Sequence, residues 1–424
     1  MSSPSAPGHG ASLSQWLSWI EATHPNEIEL GLERAKDVAG RAKLLPVTIP
    51  IITVAGTNGK GSTVAMLEAI YRDAGYRTGA YTSPHIVHFN ERVSVAGQNV
   101  SDVELVQAFE SVENARETTE LTYFEFATLA AMQVFVQNRC DVIILEVGLG
   151  GRLDTTNVWD ASCAIVTSIA LDHEAWLGSD RTLIGQEKIG IGRAGVPLIM
   201  ADQEPPEAVL KSAMDARMDV QHVPPEAVRE PLKLALPGNH QQTNAYAALT
   251  AVANLYSRLP VKLSDAKAAL SKVNLAGRFE QHNRDGVKVV LDVAHNPAAA
   301  KSVVSGLNDR FPDAPVFAVF GALNDKDIAG VVAALSSKVL HWYCLSLPGE
   351  RGTQAELLRT LVQQAGGQAT AHPSLAAAWE AASNQVKDYN SNNPLPEAVV
   401  LVAGSFFTLT ALHEHWHDVG RIAN

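Results

Sequence analysis

The chain has 424 residues, more than one ordinary hydrophobic core organises, so two domains are expected. Its 46% hydrophobic and 18% charged residues suit a globular protein, and a net charge of −12 excludes the basic surplus of a non-specific nucleic-acid binder. No apolar run is long enough to span a bilayer, and Cys140, Cys163 and Cys344 form no CxxC pair, which leaves them as buried thiols in a reducing, cytoplasmic setting.

The opening MSSPSAPGHGAS lacks a basic stretch followed by an apolar core, so it does not read as a secretory signal; residues 1–12 are expected to be disordered. Short apolar, β-branched runs follow at 50–55 (PIITVA), 79–83 (GAYTS), 141–147 (DVIILEV) and 163–169 (CAIVTSI). Helical patterns at 62–74, 101–117 and 124–138 lie between them, which predicts a parallel sheet with crossover helices. The stretch 196–237, rich in proline and acidic residues, reads as less regular, and helices are expected at 240–257 and 264–273.

The pattern restarts after Gly277. Strands are expected at 287–293, 315–321, 339–347 and 398–403, and helices at 297–308, 327–337, 353–365, 374–388 and 406–417. This is a second, smaller α/β unit with a hinge near 274–278, giving domains at 13–274 and 275–424.

The stretch ITVAGTNGKGST at 52–63 runs from a β-branched strand through Gly59, Lys60, Gly61 and Ser62 into a helix. Glycines let backbone amides curl around phosphate oxygens, the lysine adds a cation and the helix N-terminus adds partial positive charge. The loop is a variant of GxxxxGK[ST]: Gly61 follows Lys60, and no glycine lies five before Gly59. An ordinary glycine turn is the blander alternative.

Glu146 ends the run DVIILEV, where a parallel strand delivers its tip to the ligand-binding edge of a sheet. A carboxylate there suits Mg²⁺ held against ATP phosphates, and a solvated strand-end glutamate is the alternative. His173 comes just after a strand, where a lone histidine is more often a surface or core residue than a ligand; Lys188, in GQEKIGIGR, reads by default as a solvated helix lysine; Ser83 ends a strand and offers an oxygen. HEHWH at 413–417 formally matches H-E-x-x-H, but an exposed helix explains it better than a zinc site.

GTNGKGS, TSPH, LTYFEF, EVGLGGRLDTTN, SIALDHEAWLG, GQEKIGI, GRFE, DVAHNP, GALNDKD and VAGSFFTL occur in that order. Together they resemble the bacterial bifunctional dihydrofolate synthase/folylpolyglutamate synthase family, a branch of the Mur ligases, from about residue 16 to 415. The resemblance implies a P-loop Mur-ligase-like ATPase domain and a smaller C-terminal Rossmann-like domain. It implies ATP-dependent addition of L-glutamate to dihydropteroate and to reduced folates through an acyl phosphate, in a cytoplasmic monomer.

The same resemblance assigns roles. Gly59, Lys60, Gly61 and Ser62 become the phosphate cradle, and Ser83, Glu146 and His173 ligands of two Mg²⁺ ions. Lys188 becomes a lysine carboxylated on Nζ, which turns a cation into an oxygen ligand. Asn244 is implied to contact adenine, Arg278 to reach the phosphates from the hinge and Asp292 to contact the nucleotide. His295, Lys326 and Ser405 are implied in glutamate binding or site closure.

For the pterin side, the stretch 24–34 with Glu29, Leu30 and Gly31 resembles the loop that helps hold dihydropteroate. Thr122, Tyr123, Phe124 and Glu125 form a second patch, and Leu153, Asp154 and Thr155 a third. An aromatic stacks on a flat pterin and polar groups bond its edge, although Phe124 also fits core packing. The 24–34 stretch favours bifunctionality over polyglutamylation alone. A cell-wall Mur-type ligase and a nucleotide-gated switch are the rival readings.

Overall fold

The computed structural model describes residues 5–8, 10–24, 26, 28–223, 231–393 and 396–422, with side chains to 418. Two compact units emerge: Met1–Lys233 with Gln242–Val273, and Leu234–Gln241 with Asn274–Asn424.

The first unit contains α1 (Leu13–Thr23), α2 (Glu33–Arg41), β1 (Ile51–Ala55), α3 (Lys60–Asp73), β2 (Thr78–Tyr81), β3 (Val93–Val95), β4 (Gln98–Asn99), α4 (Asp102–Arg116), α5 (Tyr123–Gln137), β5 (Val142–Glu146) and β6 (Cys163–Val166). It continues with α6 (Glu174–Leu177), α7 (Arg181–Ile189), β7 (Pro197–Met200), α8 (Glu207–Asp215), β8 (Asp219–His222), most of α9 (Asn239–Asn254), and α10 (Leu263–Leu270).

Its eight strands run in the order β4-β3-β2-β5-β1-β6-β7-β8. The sheet is parallel, as expected, from β2 through β8, and at one edge β2–β3 and β3–β4, strands the sequence did not mark, pair antiparallel. β1 and β5 are buried along their whole length, which explains their unbroken apolar runs. The irregular reading of 196–237 is corrected for its described part: β7, α8 and β8 lie there, and residues 224–230 fall outside the described residues. β8 is an exposed edge strand, so it carries no apolar signature.

Of the first twelve residues, 1–4 and 9 lie outside the described set. Ala6 and Ala11 pack on the core, and Ser12 caps α1 in a reciprocal capping box with Gln15. Helix α1 buries Leu13, Trp16, Trp19 and Ile20 in the cluster that also holds Phe109, Phe126 and Phe135.

The second unit contains β9 (Glu280–Arg284), β10 (Val287–Asp292), α11 (Pro297–Arg310), β11 (Val316–Phe320), α12 (Ile328–Leu335), β12 (Val339–Leu345), α13 (Ala355–Gln364), β13 (Gln368–His372), α14 (Leu375–Asn392), β14 (Val399–Ala403) and α15 (Phe406–Ile422). Its sheet order is β13-β12-β11-β14-β10-β9, parallel except for β9 against β10. Among the described residues, no helix is long and apolar enough to cross a membrane.

Candidate active site

The loop expected to hold phosphate leaves β1 at the centre of the first sheet, between β5 and β6. It is laced to the segment after β6. Thr57 N donates to Ser168 O at 2.8 Å, Asn58 N to Ser168 Oγ at 3.0 Å, and Thr167 Oγ1 to Asn58 O at 2.7 Å. Lys60 Nζ folds back onto Gly56 O at 3.0 Å and Thr57 O at 3.3 Å, closing the turn on itself. Gly59 precedes α3 with φ +90°, a conformation glycine takes without strain. Asn244 is buried and lies against this loop: a Cβ on Gly59 would sit 2.7 Å from its Oδ1.

Gly56 has φ +151°, and a Cβ there would fall 1.8 Å from Thr167 Oγ1. Gly56→Ala is therefore expected to push the loop off β6 and weaken binding of a non-hydrolysable ATP analogue by at least about tenfold, each tenfold being about 1.4 kcal/mol. Titration calorimetry checks this; an unchanged Kd would remove the loop from the nucleotide site.

Strand register places Glu146 beside this loop, since Val54 of β1 pairs with Glu146 of β5. The solvated reading of Glu146 is corrected: the residue is 5% exposed. β2 is the other neighbour of β5, and Ser83, just beyond β2, donates its amide to Glu146 Oε2 at 3.4 Å. Two predicted metal-side residues, 63 positions apart, thus meet at adjacent strand ends.

Lys188 is also corrected from a solvated helix lysine. It is 3% exposed at the end of α7. Burial lowers its pKa to about 7; the Lys60 charge acts in the same direction and Asp172 opposes it. His173 is exposed and adopts φ +52° at the start of α6, with its amide donating to Asp172 Oδ1 at 2.9 Å. The segment before it is held by Asp202, which accepts from Ile169 N at 2.6 Å and pairs with Arg181. Sequence reading missed Thr57, Thr167, Ser168, Asp172 and Asp202; no spacing rule marks a residue whose role is to tie two loops together.

The three stretches expected to face the pteroate converge. Gly31 N donates to Leu153 O at 3.3 Å. Arg34 pairs with Glu29, and its Nη2 donates to Glu125 Oε1 at 3.1 Å. The Phe124 ring lies over Gly148, where a Cβ would come within 2.6 Å of it, and 6.0 Å from the Tyr81 ring. Phe124 and Tyr123 are half-buried, whereas Phe126 on the same helix is in the core. Thr122 and Glu125 form the capping box of α5, which fixes where that helix begins. Asp154 is buried, which raises its pKa, while the amides of Leu149 and Thr156 and the Thr156 hydroxyl hydrogen-bond its carboxylate. Thr155 is buried beside it. Pro25 and Glu27 of the 24–34 stretch lie outside the described residues.

In the second unit, β10, β14 and β11 are neighbouring parallel strands. His295 follows β10, Ser405 follows β14 and Lys326 follows β11, so all three lie at one end of that sheet. Arg278 sits at the same end because Glu280 of antiparallel β9 pairs with Leu291 of β10. Phe406, which the sequence did not single out, gathers the group: the Arg278 guanidinium lies 5.2 Å from its ring centre and the His295 ring 6.3 Å. The next residue, Phe407, is 53% exposed. The Ser405 hydroxyl accepts from Phe407 N at 3.2 Å. Asp292 accepts from Phe279 N at 2.9 Å and Ala294 N at 3.0 Å. Burial pushes its pKa up to about 6, against Arg278 and these amides. In HEHWH, the His413 ring packs 6.5 Å from His282 and 6.0 Å from Trp416 in an aromatic cluster.

A family model for the Mur ligase glutamate ligase domain matches residues 277–406. The chain is 41% identical to the dihydrofolate synthase/folylpolyglutamate synthase of Escherichia coli strain K12, covering 96% of each. It is 36% identical to the protein of the same name from Haemophilus influenzae, covering 95% of this chain and 97% of that one. Among solved structures, it superposes on Escherichia coli FolC in complex with DHPP and ADP with a TM-score of 0.88 at 39% identity, covering 98% and 100%. A bifunctional folylpolyglutamate synthase/dihydrofolate synthase with Mn, AMPPNP and L-glutamate bound gives 0.85 at 38% identity, covering 97% and 100%.

Proposed function

This chain belongs to the dihydrofolate synthase/folylpolyglutamate synthase family and is an ATP-dependent ligase that joins L-glutamate to folates, and from that premise we propose how its residues divide the work. The acid substrate is dihydropteroate or a reduced folate. A carboxylate oxygen attacks the γ-phosphorus of ATP, ADP leaves, and an acyl phosphate forms. The glutamate amine then attacks the acyl carbon and loses a proton, and phosphate departs as the amide forms.

Gly59, Lys60, Gly61 and Ser62 hold the phosphates, with Lys60 set to neutralise charge on the transferring group. Support comes from the register of β1 against β5, which sets a buried carboxylate beside a loop closed around its own lysine. Glu146 oxygens and the Ser83 hydroxyl are hard donors that suit Mg²⁺. When bound, the metal neutralises phosphoryl charge. A protonated Lys188 does not fit beside a cation. With its pKa lowered to about 7, the neutral amine is available at working pH. Nζ attacks CO₂, an N–C bond forms and a proton leaves, producing a carbamate with two oxygens. His173 supplies a nitrogen donor for the second ion.

The pterin lies among residues 29–31, 122–125 and 153–155, with Phe124 stacking on it. Asn244 contacts the base, Arg278 the phosphates, and His295, Lys326 and Ser405 the incoming glutamate. The cross-links of the 29–31 segment to the other two patches support bifunctionality.

A phosphate-release assay tests the reading. Release is expected only with ATP, Mg²⁺, L-glutamate and an acid substrate, dihydropteroate or a reduced folate, together. Turnover of muramyl substrates, or hydrolysis without glutamate, would overturn it.

Asp292 gives a pH dependence. Its raised pKa means the folded chain keeps a proton that the unfolded chain has lost between 3.8 and about 6. Its contribution to stability is therefore present at low pH and is lost as pH rises through about 6. If the ionised form accepts from the nucleotide, kcat/KM for ATP falls as pH drops through about 6. Asp292→Asn is expected to flatten that limb in a pH–rate profile; an identical acid limb in the variant would remove Asp292 from nucleotide binding.

A further inference from the structure

We propose that Arg34 is the positioning residue that holds the 29–31 segment in register with the start of α5 and so sets affinity for the acid substrate. This rests on the pterin-side reading of residues 29–31, 122–125 and 153–155 given above.

Arg34 reaches two of those three patches with one guanidinium. Nη1 pairs with the Glu29 carboxylate. Nη2 donates to Glu29 O at 3.2 Å and to Glu125 Oε1 at 3.1 Å. It therefore grips both the side chain and the main chain of Glu29, and ties them to Glu125, 91 positions from Arg34 itself. Two residues beyond Glu29, Gly31 N donates to Leu153 O, which joins the third patch.

The anchor on α5 is rigid. Glu125 is 1% exposed, and its Oε2 accepts from Thr122 N at 2.8 Å within the capping box. The carboxylate is thus already oriented by the helix end, and the free choice lies with the loop. A planar guanidinium serves three acceptors in fixed directions; an ammonium does so only as a point charge. Arg34 is partly buried, with 28% of its side chain exposed, so solvent does not replace these contacts cheaply. Among the described residues between α1 and α2 there is no helix or strand, so apart from the Gly31–Leu153 hydrogen bond the 29–31 segment depends on side-chain ties, Asn26 Nδ2 donating to Glu29 Oε2 at 3.2 Å among them.

The test is steady-state kinetics with dihydropteroate, read beside amide exchange. Arg34→Met is expected to raise KM for dihydropteroate by about tenfold or more while kcat stays within about threefold and KM for ATP within about twofold, the pattern of lost uniform binding. Arg34→Lys is expected to fall between, since it keeps the charge and loses the fork. Exchange of the Gly31 amide should quicken in Arg34→Met while the amides in the middle of α5 keep their protection. An unchanged KM in either variant would overturn the proposal. So would a fall in kcat and thermal midpoint with no local gain in exchange, which is what a merely structural arginine predicts. If Arg34→Met does not fold, the KM of Arg34→Lys decides. Failure of the unmodified enzyme to use dihydropteroate at all would instead overturn the pterin-side reading.

Discussion

Lys60→Ala is expected to lower kcat by about a hundred- to a thousandfold, the cost of removing one charge-stabilising group if Lys60 neutralises the transferring phosphoryl group as proposed. The fold should survive. Lys60 gives up two hydrogen bonds, to Gly56 O and Thr57 O, each worth about 1 kcal/mol. The loop keeps its ties to Thr167 and Ser168. The measurement is single-turnover ADP formation together with a thermal midpoint. A variant that turns over within about threefold of the parent would refute the phosphate-loop assignment. Removing the Lys60 charge also lifts one of the influences that depress Lys188.

Lys188→Ala is expected to lower kcat by about a hundredfold or more, with partial recovery on adding a small carboxylate such as acetate. The reasoning is chemical: if the working group is a carbamate, a free carboxylate supplies the same oxygens to the same place. Truncation also leaves a cavity at a 3% exposed site, which costs about 2–5 kcal/mol in comparable aliphatic cases. Part of that is offset because burial already disfavours the charged amine. Lys188→Met separates the effects: it fills the volume, keeps the thermal midpoint and stays inactive. Full activity of Lys188→Ala without any additive would exclude Lys188 from the metal side of the site.

The central strands, β1 before the glycine-lysine loop and β5 before Glu146, were legible because burial on both faces leaves runs such as ITVA and VIIL with hardly a polar interruption. The same logic explains the failures. β8 and β9 are edge strands with polar sequences, and nothing in DVQH or EQHNR marks them. Helix α1 was missed although Leu13, Trp16 and Ile20 recur at helical spacing and Ser12 with Gln15 forms a capping box. That signal begins at the first residue of the expected domain, just past the 1–12 tail, where no element is assigned from the sequence before the strand at 50–55.

The letters also mark where charge and oxygen sit, but not what surrounds them. A solvated reading stays open from the letters for Glu146 and is the default for Lys188, until the structure places both out of water, 5% and 3% exposed. Phe406 and Phe407 are adjacent and identical, yet the first few residues of α15 turn one toward Arg278 and His295 and leave the other exposed.

What the sequence determined by itself is the inventory: a glycine-lysine loop between strand and helix, acids at strand tips, and the ordered motifs that identify the family. Those follow from local propensity and from side-chain chemistry, which act over a few residues. What only the tertiary structure decided is which distant residues share an environment: Val54 with Glu146, Lys60 with Lys188, and Glu29 with Arg34 and Glu125. The reason is that dielectric, hydrogen-bond geometry and pKa depend on neighbours in space, and those neighbours are fixed by sheet order and not by position along the chain.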